Sequence, residues 1–377
     1  MNRREFLAQA AAAAGLPAVA TTTGNELALA EPATAGMRRD IARFERRVDL
    51  IRQSLDIPGM SIAVVHGQKV ILARGFGVVD IAKRTAATEH TPYPIASLTK
   101  TFAAAVIMRL IEAGKLDLDE PMSTYDPGYA QWCSALKTQN VAAARNYDCN
   151  SARITVRHHL SHTAEWQPGT VYNYNGVLFA RLTQVIEAVA AKEFNRLLEE
   201  DILDPLGMND TALGVGDRRK AHVVARMAKR YKLEKDGTLA ESASVNPPFL
   251  SMNAATGLIS TVTDLVKYDV AIDRGAVYSP QAKQQIWTVG TSPTGQRFPY
   301  GLGWFVTEHP PGNPAFFWHY GWLSEFSSLL LKVPERRLTL ILLACTERAS
   351  SVFFLGNGDP LRSPFVTAFL DSFKSAS

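Results

Sequence analysis

The stretch Pro94-Ile95-Ala96-Ser97-Leu98-Thr99-Lys100-Thr101-Phe102 sets a serine and a lysine three residues apart, where an extended chain arrives at a helix start. Residues three apart share a helix face, so the Ser97 hydroxyl and the Lys100 amine can meet. The run that follows, Thr101 to Ala113, is apolar on nearly all sides and should be buried. A lysine in a dry pocket loses basicity and can take the serine proton. The helix start also sets backbone N–H groups beside the serine, which suits an oxyanion. The spacing alone is a weak signal. A second instance, Ser134-Ala135-Leu136-Lys137, lies in a polar stretch with no comparable apolar helix behind it, and reads as a solvated helix face.

The flanking sequence supplies the frame. Ile41, Phe44, Val48, Ile51 and Leu55 recur at helical steps, predicting a helix over residues 38–55. Met60–His66 and Val70–Arg74 read as strands around a Gly67-Gln68 hairpin turn. Near the other end, Phe326–Lys332 and Leu338–Cys345 read as strands around Pro334–Arg337, and Phe365–Phe373 as a last helix. Strands at both ends with helical material between them predict an α+β fold, with one antiparallel sheet built from the two ends. Tyr174–Ala191 and Val262–Ile272 are amphipathic helix candidates within a mainly helical region, about 116–290.

Composition excludes several classes. The 377 residues are 46% hydrophobic and 20% charged, too apolar for a disordered chain. Three cysteines are too few for a disulfide scaffold. The formal charge of +4, with no long Lys/Arg run, points to no nucleic-acid partner. No apolar stretch is long enough to span a bilayer. Arg3-Arg4-Glu5-Phe6-Leu7 followed by an Ala-rich run resembles a twin-arginine export signal over residues 1–30. Ala28-Leu29-Ala30 offers a cleavage site and Ala18-Val19-Ala20 a second one. The expected mature unit is 31–377, periplasmic or secreted, with no membrane anchor.

Several segments, in order, resemble the serine β-lactamase-related family. They are Ile57–Val65, Ile95–Phe102, Gly114–Pro121, Ile154–Thr163, Asp204–Met208 and Tyr300-Gly301-Leu302-Gly303-Trp304. The family includes class C β-lactamases, DD-peptidases, family VIII esterases and D-amino-acid-specific peptidases. The resemblance implies a β-lactamase/penicillin-binding-protein-like fold, an antiparallel sheet flanked by helices with a mainly helical subdomain. It implies acyl transfer from an ester, a β-lactam or a D-amino-acid peptide to water, with no cofactor and no metal. Ser97 is then the nucleophile. Lys100 and Tyr174 handle protons, Tyr174 being the tyrosine of a Tyr-x-Asn motif in Pro168–Gly176. The family asparagine would fall at 176, where Gly176 stands; either Asn175, one place early, substitutes at the substrate through a local shift, or that contact is missing.

The third family motif corresponds to His319-Tyr320-Gly321. By resemblance, the N–H groups of Ser97 and Trp322 form the oxyanion hole. Gly321 lets substrate approach the strand, Tyr320 lies beside it, and His319 donates into the site or carries charge at mildly acidic pH. A histidine is a less reliable cation than the lysine found in many relatives, which shifts weight from carboxylate-bearing substrates toward esters or aminopeptidase substrates. An alternative of another class is a penicillin-binding-type protein with little turnover that is acylated by peptidoglycan-like ligands; Gly176 is its support.

Relatives usually carry a long loop between the His-Thr and Pro-Gly segments, and here only Ala164-Glu165-Trp166-Gln167 intervene. Extra residues stand earlier, from about 127 to 153, with Cys133 and Cys149 inside them. Outside the cytoplasm these two can form a disulfide, and the bracketed insertion is expected to replace part of the site rim. Cys345 lies in an apolar strand and reads as a packed free thiol. His158 and His162 have the spacing of a metal pair on one helix face, but no third ligand is evident. A structural helix is the reading taken there.

Overall fold

The computed structural model describes residues 34–242, 251–309, 314–323 and 325–374. The expected export segment, 1–30, lies outside the described residues.

Helix α1 (Ala35–Ser54) opens the described chain, with the Thr34 side chain accepting from the Met37 N–H. Strands β1 (Gly59–His66) and β2 (Lys69–Asp80) follow around Gly67 and Gln68, both at positive φ (55° and 68°). Two consecutive positive-φ residues match the twist of a two-residue hairpin. With β3 (Thr85–Ala86), β4 (Phe305–Glu308), β5 (Pro314–Leu323), β6 (Phe326–Val333) and β7 (Leu338–Ala344), they form one seven-stranded sheet in the order β3-β2-β1-β7-β6-β5-β4. Every pairing is antiparallel, with Ala63 opposite Ile341 at the centre. Strands from both chain ends meet in it, as the pattern of apolar runs predicts.

β1 is covered on both faces, and its alternation sorts the core into two layers. Met60, Ile62 and Val64 face the layer of α1 and the last helix, Pro364–Ser372. There Phe44 meets Phe369 and Phe373 edge-on at 5.9 and 5.5 Å. Ala63 and Val65 face the helical layer instead. Its centre is α2 (Thr99–Glu112), whose residues Thr99 through Met108 are all buried.

β5 positions the site. Its first half pairs with both neighbours, whereas His319–Leu323 pair with β6 alone among the described strands. The turn carrying Ser97 packs against that half. The helix expected over Tyr174–Ala191 is shorter and broken. Tyr174 lies outside any helix, Asn175 caps α3 (Gly176–Ala180), and a separate helix runs Leu182–Ala190.

Candidate active site

Ala96–Leu98 form one 3-10 turn ahead of α2. Ala96 has φ 49°, a left-handed value that a residue with a β-carbon adopts only under constraint. The Ile95 N–H donates to Leu258 O (2.9 Å), and Ile95 O accepts from Ser328 Oγ (2.7 Å), clamping the turn to the sheet. In the run Thr91–Lys100, Ser97 alone is not buried.

Lys100 lies one turn further on and is 1% exposed. Its Nζ is 2.8 Å from Ser97 Oγ and 3.1 Å from Ala255 O. The rings of Tyr174 and Phe179 lie 5.1 and 5.4 Å from the same nitrogen. Burial lowers the lysine pKa to about 7. A large share of the amine is therefore neutral near pH 7 and able to accept the serine proton.

The Tyr174 hydroxyl is buried and makes no hydrogen bond in this geometry. Burial holds its pKa well above the ordinary phenol value, with Tyr320 adding to the rise and the Ser97 hydroxyl opposing it. The group is a phenol rather than a phenolate.

His319 corrects its expectation. It is fully buried. Nδ1 is 2.6 Å from Tyr320 O and Nε2 is 2.8 Å from the Tyr300 hydroxyl. A carbonyl can only accept, so Nδ1 carries the proton and Nε2 accepts from Tyr300. Burial, then Lys100, push its pKa well below the usual value. The ring is neutral at mildly acidic pH, and both nitrogens are engaged within the protein. Tyr320 is likewise buried, its ring 6.0 Å from that of Tyr174, and forms part of the packing rather than an open contact surface.

Gly321 is small for a different reason from the one expected. A β-carbon there would stand 2.2 Å from Ile95 O and 2.3 Å from Ser328 Oγ. The missing side chain admits the Ser97 turn, not substrate. Trp322, next along the strand, is 52% exposed, and its indole N–H donates to Glu347 Oε2 (2.8 Å).

The Asn175 side chain does not replace the family asparagine. Its Oδ1 accepts from the Val177 and Leu178 N–H groups (3.0 and 3.1 Å) and from the Tyr147 hydroxyl (3.1 Å). Its Nδ2 donates to Ala143 O (3.3 Å) and Glu165 Oε2 (3.2 Å). Both ends of the amide are thus taken up in a buried network. At Gly176 a β-carbon would meet nothing within 4 Å.

Cys133 and Cys149 are bonded, at an S–S distance of 2.05 Å. The loop they close meets the Tyr174 segment through Ala143 and Tyr147, and Trp166 N–H donates to Asn146 O (2.8 Å). Cys345 is buried and unbonded, and burial pushes its thiol up to about 12. Ser134 and Lys137 are exposed on their helix.

Sequence reasoning missed three site residues. His162 accepts the Asn175 N–H at Nδ1 (3.1 Å), with its ring 4.3 Å from that of Tyr174. It lies beyond the helix Val156–Leu160, at φ 55°, so it does not share a helix face with His158. Among the described residues no group of three metal-ligating side chains occurs. Tyr300, in a quoted family segment, orients His319. Glu165 is buried beside Asn173 and Asn175, and burial raises its pKa. His162, in Ile154–Thr163, and Tyr300 both lie in quoted family segments, whereas nothing local signals Glu165.

The family model described as Beta-lactamase matches residues 44–351. Protein flp of Staphylococcus aureus strain MW2 is 24% identical over 314 residues, 76% of this chain and 59% of its own length. The chain thus spans little more than half of the curated relatives of that kind. In solved structures, the octameric penicillin-binding protein homologue of Pyrococcus abyssi aligns at TM-score 0.70 and 22% identity, covering 89% of this chain and 79% of that one. The D-amino acid amidase of Ochrobactrum anthropi SV3, complexed with D-phenylalanine, aligns at 0.70 and 19%, covering 88% and 99%. These likenesses describe the fold. The match over residues 44–351 takes in Ser97, Lys100, Tyr174 and His319, and the chain belongs to the Beta-lactamase family.

Proposed function

We propose that this protein is an exported serine hydrolase that cleaves an ester or amide through an acyl-enzyme on Ser97. The observation that carries the reading is Lys100 Nζ at 2.8 Å from Ser97 Oγ, with burial lowering its pKa to about 7. Ser97 Oγ attacks the carbonyl carbon as its proton passes to neutral Lys100. The negative charge on the carbonyl oxygen is met by the N–H groups of Ser97 and Trp322. Collapse of the tetrahedral intermediate breaks the bond to the leaving group, which takes a proton relayed from Lys100 through Tyr174. Water then attacks the acyl-serine with the proton transfers reversed.

Neutral, buried His319 supports substrates that need no cationic partner for a carboxylate, so esters and neutral amides rank ahead of β-lactams and peptides ending in D-alanine. Residues 1–30 and the Cys133–Cys149 bond support an oxidising compartment outside the cytoplasm. The open space at Gly176 favours a second reading, a slowly turning-over protein that stays acylated. A panel of p-nitrophenyl acetate, nitrocefin and D-alanyl peptides, run with Ser97→Ala as control, tests the proposal. Multiple turnovers of the ester that vanish in Ser97→Ala support it. A stoichiometric burst without turnover favours the second reading, and turnover that survives the substitution overturns both.

A further inference from the structure

A cavity of about 380 Å³ lies between the helix Tyr129–Thr138, inside the cystine-bracketed insertion, and the start of α3. Trp132, Val177, Arg181, Thr183, Met252 and Asn253 line it. Its lining connects to the reacting groups through chain neighbours at two points. Val177 follows Gly176, where no β-carbon obstructs the space, and Tyr174 is two residues before Gly176. Asn253 Oδ1 accepts the Ala255 N–H (2.8 Å), and Ala255 O is the second acceptor of Lys100 Nζ. A larger cavity, about 570 Å³, lies near His158 and Phe298; neither cavity is lined by Ser97, Lys100 or Tyr174, and the smaller one is the one linked to them through Gly176 and Ala255.

The chemistry of the lining selects its occupant. Arg181 is the charged residue there, and Asp126 binds it bidentately at 2.6 and 2.7 Å. Its guanidinium also lies 4.9 Å from the centre of the Trp132 ring. That charge is already matched and is a poor anchor for a carboxylate. What remains is an indole, Val177, Ala180 and Met252, with the amides of Gln184 and Asn253 and one hydroxyl for orientation. Small-molecule pockets of this kind hold apolar groups and use a few polar atoms to align them. Trp132 is held in place by its neighbour Cys133 and by Tyr129 and Tyr147, whose ring centres are 5.6 and 6.3 Å away.

We propose that this cavity is the specificity pocket of the site and takes a neutral aryl or alkyl group of the substrate, with Trp132 as its wall. The proposal rests on the serine-hydrolase reading. The group can belong to the acyl side or to the leaving group, and two substrate pairs separate these. The acyl pair is p-nitrophenyl phenylacetate against p-nitrophenyl acetate. The leaving-group pair is 2-naphthyl acetate against phenyl acetate. In Trp132→Ala, and in Val177→Phe, which fills the mouth from an exposed position, the kcat/KM ratio of larger to smaller substrate should fall about tenfold in one pair. Ratios unchanged in both pairs overturn the pocket. If Trp132→Ala fails to fold, Val177→Phe alone decides. Ser97→Ala separates the two layers: surviving turnover overturns the hydrolase reading, whereas lost turnover with unchanged ratios in Val177→Phe overturns only the pocket.

Discussion

Gly321 lies so close to Ile95 that a β-carbon on it would stand 2.2 Å from the Ile95 carbonyl oxygen. The strand thereby supports the turn that presents Ser97. Gly321→Ala must push that turn off the sheet. We expect a stability loss of about 1–3 kcal/mol, typical of overpacking, and a fall in kcat/KM of about a hundredfold or more, because small misplacements of reacting groups cost that much. Thermal melts and steady-state kinetics check it. Wild-type turnover in Gly321→Ala would show that the turn does not depend on this contact.

The proposed mechanism is pH-dependent in a defined direction. With the neutral Lys100 amine as the base, kcat/KM should rise with pH through about 7. Lys100→Arg keeps the cation and loses the base, and should lower kcat/KM by about a thousandfold. The same burial affects stability. Between about 7 and the unfolded value of 10.5, the unfolded chain binds a proton that the folded chain does not. Stability from this group is therefore fully present above 10.5 and is lost as pH falls toward 7. Lys100→Met should raise the Tm at pH 7, with an advantage that shrinks toward pH 10.

Asn175→Ala removes the cap of α3 and leaves Tyr147 and Glu165 short of partners. A cap is worth about 1 kcal/mol, and orphaned buried groups cost about 1–3 kcal/mol. A loss of about 3 kcal/mol in chemical denaturation is expected, together with lower kcat from the neighbouring Tyr174. Gly176→Asn has open space and should leave the midpoint near that of the wild type.

The cystine closes a loop with a sequence separation of 16 residues. Cys133→Ser with Cys149→Ser, or reduction of the wild type, should cost about 3 kcal/mol by loop-closure entropy. The loss is read as a lower midpoint in urea. An unchanged midpoint under reducing conditions would mean that the bond contributes nothing to this loop.

The frame was legible because its signals are periodic. The near-continuous apolar runs of β1 and β7 and the all-round apolar α2 call for a sheet covered on both faces and a buried helix. The Ser97–Lys100 pair is legible because its helical spacing stands at a helix start ahead of an all-round apolar helix, a context that Ser134–Lys137 lacks. The outer parts of the site depend on tertiary contacts that no local pattern encodes. His319 was expected to reach substrate, but a histidine looks the same in sequence whether its nitrogens face solvent or Tyr300. Asn175 stands one place before the motif position, which leaves open in sequence whether it substitutes there; its amide is instead taken up by Glu165, the start of α3 and the insertion, whose fold no periodicity reveals. Gly321 was correctly marked as a close approach, with the wrong partner.

The central claim is that Ser97 is a nucleophile activated by Lys100. The most direct measurement is the intact mass of the protein after exposure to a fluorophosphonate, followed by peptide mapping. The account predicts a single adduct on Ser97, faster above pH 7 than below it, and absent from Ser97→Ala. An adduct on another residue, or labelling undiminished in Ser97→Ala, would contradict it.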